Sequence, residues 1–143
     1  MSLGVNILND LVEKSAVALS ALNYDIEISE THHKHKIDAP SGTALTLGKF
    51  AAKGRNENFD DIKVLDRTKT SRERKTGEIG FSITRGGNIA GEPTVSFIGS
   101  NDRVDLQHKS YNRSIFVSGE IEAAHFIVKK KPGLYTMKDM INY

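Results

Sequence analysis

A chain of 143 residues, 38% hydrophobic and 27% charged, has material for one globular domain with a core of its own. A net charge of +2 is too mild to imply a nucleic-acid partner, and the lack of any cysteine excludes disulfides, a thiolate nucleophile and cysteine-ligated zinc. No apolar run reaches the length of a membrane span and no signal peptide is visible, so a cytoplasmic protein with no membrane partner is expected.

Met1-Ser2-Leu3 reads as a remnant added ahead of the natural chain. Residues 4–22 carry an apolar stripe at spacings of three and four (Ile7, Leu8, Leu11, Val12, Ala16, Leu19), which predicts a helix stopped by Asn23. Tyr24 to Ser29 alternates as a strand, with Ile26 and Ile28 on one side. The next stretch organises the chain. Three histidines and two lysines crowd five positions, His32 to Lys36, and Pro40-Ser41-Gly42-Thr43 follows as a turn and helix start. That helix is expected to end near Gly54. A weak strand is predicted over 62–65, then a charged, mobile loop over 66–76.

Three further strands are expected from alternation. They hold Ile79, Phe81 and Ile83, then Val95 and Phe97, then Val104, Leu106 and His108. Arg85-Gly86-Gly87-Asn88 is a turn whose glycines answer a need for positive φ, and Gly99 to Asp102 is a hairpin turn. A long helix is predicted over 112–129, with Ile115, Phe116, Gly119, Ala123, Phe126 and Ile127 on one face. Pro132-Gly133 stops it, and a short helix over 134–143 closes the chain. The fold class is therefore α+β. A small mixed sheet of about four strands is covered by helices on one face, and its bare face serves oligomerisation.

The His/Lys cluster lies where a strand hands over to a helix. A histidine beside Lys34 and Lys36 gives up its proton more readily, and the helix start at Ser41-Gly42-Thr43 offers free N–H groups. Such a site can hold a doubly anionic small molecule and exchange protons with it. Competing readings exist. The histidines could be structural, and Ser41 and Thr43 could be no more than a helix cap. His-x-His could hold a metal, although two lysines beside it repel a cation, so no metal is expected. The basic run over 67–75 reads as a solvated loop. No G-x-G-x-x-G fingerprint and no phosphate-binding loop occurs anywhere.

The stretch from Glu30 to Ala44 resembles the signature of the dihydrodipicolinate reductase family, E-x-H-H-x-x-K-x-D-x-P-S-G-T-A, at every fixed position. Gly77-Glu78-Ile79-Gly80-Phe81, Arg85-Gly86-Gly87, Gly91-Glu92 and Pro132-Gly133-Leu134-Tyr135 are similar to further family motifs, so the resemblance spans nearly all of residues 4–143. Lys34 stands where the family often has arginine, and Pro93 where it commonly has histidine.

The resemblance implies a bacterial oxidoreductase of lysine and diaminopimelate synthesis. It implies His32 as the acid/base histidine and Lys36 as the proton donor, with His33, Ser41, Gly42 and Thr43 gripping two substrate carboxylates. It further implies NADH or NADPH as cofactor of a longer parent, and a homotetramer. Only the substrate-binding and oligomerisation part is matched, over 4–125, with 126–143 as the segment that in the family returns to the nucleotide-binding domain. The missing Rossmann domain marks a fragment, with its cofactor-binding residues unknown and no cofactor expected on it. A non-catalytic tetramerisation module and a histidine-rich metal-binding domain are the alternatives.

Overall fold

The structure is a computed structural model, and it describes residues 1–141. The first helix, α1 (Leu3–Ala18), starts one residue earlier than expected because Ser2 caps it: its hydroxyl accepts the Val5 N–H at 3.3 Å. Ser2, read as part of an added remnant, is thus built into the fold. The helix ends at Ala18 rather than Leu22, since Leu19 already leaves helical geometry.

Strand β1 (Asp25–His32) follows, then α2 (Gly42–Gly54), a short helix α3 (Phe59–Ile62), and the two-residue strand β2 (Lys63–Val64). A 3₁₀ turn at Arg67–Lys69 leads to β3 (Ile79–Arg85), β4 (Glu92–Ile98) and β5 (Arg103–Gln107). His108 lies just beyond β5. Helix α4 (Ser114–Ile127) and the short α5 (Met137–Met140) complete the order. The expected closing helix over 134–143 is reduced to α5, and the last two positions of that expectation lie outside the described residues.

The sheet has five strands rather than about four, in the order β2-β3-β1-β4-β5. β1 runs parallel to β3 and antiparallel to β4, so the sheet is mixed. Its register places Ile26 beside Ile79 and Phe97, and Ile28 beside Phe81 and Val95. Those six side chains form the floor of the core. Leu8, Val12 and Ala16 of α1, with Leu47 and Ala51 of α2, form its roof. The two helices touch closely at Gly54, where any Cβ would overlap the Glu13 backbone and come within 2.7 Å of the Ala16 Cβ. The opposite face of the sheet is polar: Ser29 lies between Ser82 and Thr94, and Thr31 beside Thr84.

The charged loop over 66–76 is pinned rather than free. Arg74 Nη2 donates to the Ile26 carbonyl at 2.9 Å, and Arg74 and Arg67 both reach Glu27. Arg72 pairs with Glu78. Helix α4 packs less deeply than its stripe implies. Among its described side chains only Gly119 is buried, against the backbone of Met1, while Ile127 and the following Val128 are 45% and 77% exposed. Tyr135 meets Phe126 edge-on at 5.9 Å, and Lys138 pairs with Asp10 of α1 at 3.2 Å.

Candidate functional site

Strand β1 does not stop at Ser29. It continues through Glu30, Thr31 and His32, so the first histidine sits on the strand and not in the loop. Side chains two apart share a face. Glu30 and His32 therefore point to the same side as Ile26 and Ile28, beneath the helices, and are 1% and 9% exposed.

A carboxylate at such a depth must be fully engaged. Glu30 Oε1 accepts Arg85 Nη2 at 2.7 Å and the Ser41 N–H at 3.0 Å. Its Oε2 accepts Arg85 Nη1 at 2.9 Å and meets His32 Nδ1 in a short contact. Burial alone would raise the Glu30 carboxyl. The Arg85 guanidinium, His32 and the Ser41 amide outweigh it and hold the group below the ordinary glutamate range. Arg85 also donates to the Asp38 carbonyl at 2.8 Å, which ties the His/Lys loop to β3. The turn after β3 grips the same loop: Gly86 N donates to the His32 carbonyl at 3.0 Å, and Lys34 N to the Gly87 carbonyl at 3.2 Å. Gly87 has φ +55°, as the glycine-rich turn demands.

At the other end of the loop, Ser41 caps α2. It is 2% exposed, and its hydroxyl accepts the Ala44 N–H at 3.2 Å. The amides of Gly42 and Thr43 are in the first turn and have no helical carbonyl to bind. Gly42 is exposed, and a Cβ there would meet nothing within 4 Å, so a ligand can approach this backbone closely. His33 is half-buried and its Nδ1 is buried with no hydrogen-bond partner. Lys36 turns its amine to Asp38 at 2.7 Å, and this pair is exposed on the Asp38 side.

The structure thus brings His32, Ser41 and Thr43 together. His32 reaches Ser41 through Glu30. His32 and Thr43 share a cavity of about 20 Å³ with Gly91, His108 and Ser110. That volume holds about one water molecule and no dicarboxylate. His33, Lys36 and Gly42 do not line it. Burial pushes the His108 imidazole down. Sequence reasoning quoted Glu30 and Arg85 within motifs without giving either a role, and it did not place His108 at the site. Among the described residues no three His, Asp or Glu side chains converge as a metal site, and no helix is long and apolar enough to cross a membrane.

An α+β domain with a histidine braced by a buried carboxylate, next to an open helix start and a lysine-bearing loop, defines the structural class. Comparison with known proteins makes that class specific. Residues 4–141 match the family described as dihydrodipicolinate reductase, C-terminus, and the chain belongs to that family. It is 50% identical over 141 residues to the 4-hydroxy-tetrahydrodipicolinate reductase of Agrobacterium fabrum, covering 99% of this chain and 51% of that protein. The enzyme of the same name from Bartonella tribocorum is 48% identical, with 99% of this chain and 52% of that protein covered. A solved structure, dipicolinate-bound dihydrodipicolinate reductase from Paenisporosarcina sp. TG-14, superposes with a TM-score of 0.66 at 28% identity, over 94% of this chain and 51% of that one. The chain spans about half the length of the curated relatives it matches.

Proposed function

We propose that this chain binds the dicarboxylate substrate of a 4-hydroxy-tetrahydrodipicolinate reductase and supplies the proton side of the reduction. The single observation that carries the reading is the juxtaposition around Glu30: one buried carboxylate bonds both the His32 ring and the first amide of the turn that opens α2. His33, with an unpartnered buried Nδ1, and the Gly42 and Thr43 amides are available to one carboxylate of the ligand. Ser41 keeps its hydroxyl proton to donate, since its oxygen is used only as an acceptor toward Ala44. Lys36 meets the anion by leaving Asp38, an exchange that costs little because an ion pair exposed to water on the Asp38 side is weak. Lys36 then donates its proton to the reduced ring, and His32 serves as acid/base. The solved relative whose printed name includes bound dipicolinate supports a flat, doubly charged ligand.

The residues described do not fit a dinucleotide. The β1-to-α2 handover runs through the His/Lys loop and Pro40, not through a glycine-rich turn. The cofactor belongs to the half of the relatives that this chain does not span. The bare polar face of the sheet supports self-association into a tetramer, in the cytoplasm of a bacterial cell.

Calorimetric titration with pyridine-2,6-dicarboxylate tests the reading. We expect saturable binding by the chain and a loss of tenfold or more in His33→Ala and in Lys36→Ala. Unchanged affinity in both variants, or no binding by the unmodified chain, overturns it.

A further inference from the structure

We propose that Glu30, held by Arg85, is a positioning residue that fixes which nitrogen of His32 carries the proton. The inference rests on reading His32 as the group that exchanges protons at this site, and it deepens that reading.

The argument starts from what a carboxylate can do. An ionised carboxylate only accepts hydrogen bonds. Glu30 is kept ionised by a two-pronged Arg85 grip and by the Ser41 amide. The ring nitrogen that meets it, Nδ1 of His32, must then carry hydrogen. In the neutral ring this leaves Nε2 bare. Nε2 faces Gly91, where even a methyl group would approach to 2.9 Å, and the small cavity that His32 shares with Thr43 and His108. All proton traffic through His32 is thereby assigned to Nε2.

The partner of Glu30 explains why a neutral acceptor cannot stand in. A glutamine has one oxygen. Arg85, half-buried beside the site with donors only, claims it, and the amide N–H₂ is left facing His32. The ring must then accept at Nδ1 and carry its proton on Nε2, which reverses the assignment while keeping the shape. The same substitution of acid by amide beside a catalytic imidazole is known in serine proteases to preserve geometry and ruin the tautomer. A merely structural ion pair predicts something else: loss of Glu30 weakens folding and leaves the tautomer free to follow solvent.

The test is a nitrogen-15 spectrum of the histidine rings, recorded on the full chain at a pH where His32 is neutral. The unmodified chain is expected to show His32 protonated at Nδ1. Glu30→Gln is expected to show it at Nε2. Glu30→Asp keeps the charge that Arg85 requires and withdraws it by one methylene, so a mixture of both tautomers is expected should the glutamine variant not fold. An unmodified chain protonated at Nε2 overturns the proposal without any variant. So does a folded Glu30→Gln or Glu30→Asp chain that keeps a pure Nδ1–H ring. Failure of the unmodified chain to bind the dicarboxylate strikes the ligand reading alone and leaves the tautomer result standing.

Discussion

Glu30 makes folding sensitive to acid. Its carboxyl sits below the ordinary value of 4.5 in the folded chain, so the unfolded chain binds its proton first as pH falls. The stabilisation is complete above the unfolded value and is lost as pH drops through the folded one. Urea midpoints measured between about pH 6 and pH 3 should fall steeply in the unmodified chain and more gently in Glu30→Gln, which has no carboxyl to protonate. Asp38 gives a second prediction. Asp38→Asn frees the Lys36 amine and should tighten pyridine-2,6-dicarboxylate binding about twofold to fivefold, measured by titration. The crowding of His and Lys was plain in the sequence because it is local. Glu30 and Arg85 carried a subtler signal. Each continues the buried register of its strand, after Ile26 and Ile28 in one case and Ile79, Phe81 and Ile83 in the other. A charge in a core-facing register needs a partner, and the two strands supply each other's.

At the scale of elements, helix α2 links core and site. Its first turn faces the His/Lys loop, and its last residue, Gly54, rests on the Glu13 carbonyl of α1. Gly54→Ala must push the helices apart and should cost about 1–3 kcal/mol, read as a lower urea midpoint with an unchanged slope. The loop over 66–76 offers a parallel test. Arg74 alone reaches Asp25, Glu27 and two backbone carbonyls. Arg74→Ala should expose the loop, and limited trypsin digestion should then cut first at Arg67 to Lys75. Periodicity located most helices and strands, and missed their ends. The extension of β1 to His32 depends on pairing with Arg85 and Glu92, which no local pattern encodes. The pinning of the loop depends on Glu27, forty residues before Arg67, and composition alone read it as solvated.

The whole molecule is a sheet with two unlike sides. One carries the apolar floor and the site; the other is lined with serine and threonine, of which Ser29, Ser82 and Thr84 are exposed and Thr94 and Ser96 are buried. Sedimentation velocity should show an oligomer, and Ser29→Arg with Ser82→Arg, which place two charges side by side on that face, should shift it to the monomer. The α+β class could be read from the order of elements. The parallel pairing of β1 with β3 could not, because it joins residues some fifty positions apart.

Strand β1 puts Ile26, Ile28, Glu30 and His32 along one edge of the same pleat. The oily anchor and the imidazole are successive rungs of a single rigid rail. A change that slips the strand by one residue would turn the anchor to solvent and remove the imidazole from its brace in the same motion. The register that buries the core thus also sets the imidazole against Glu30, and a fault in one is a fault in the other.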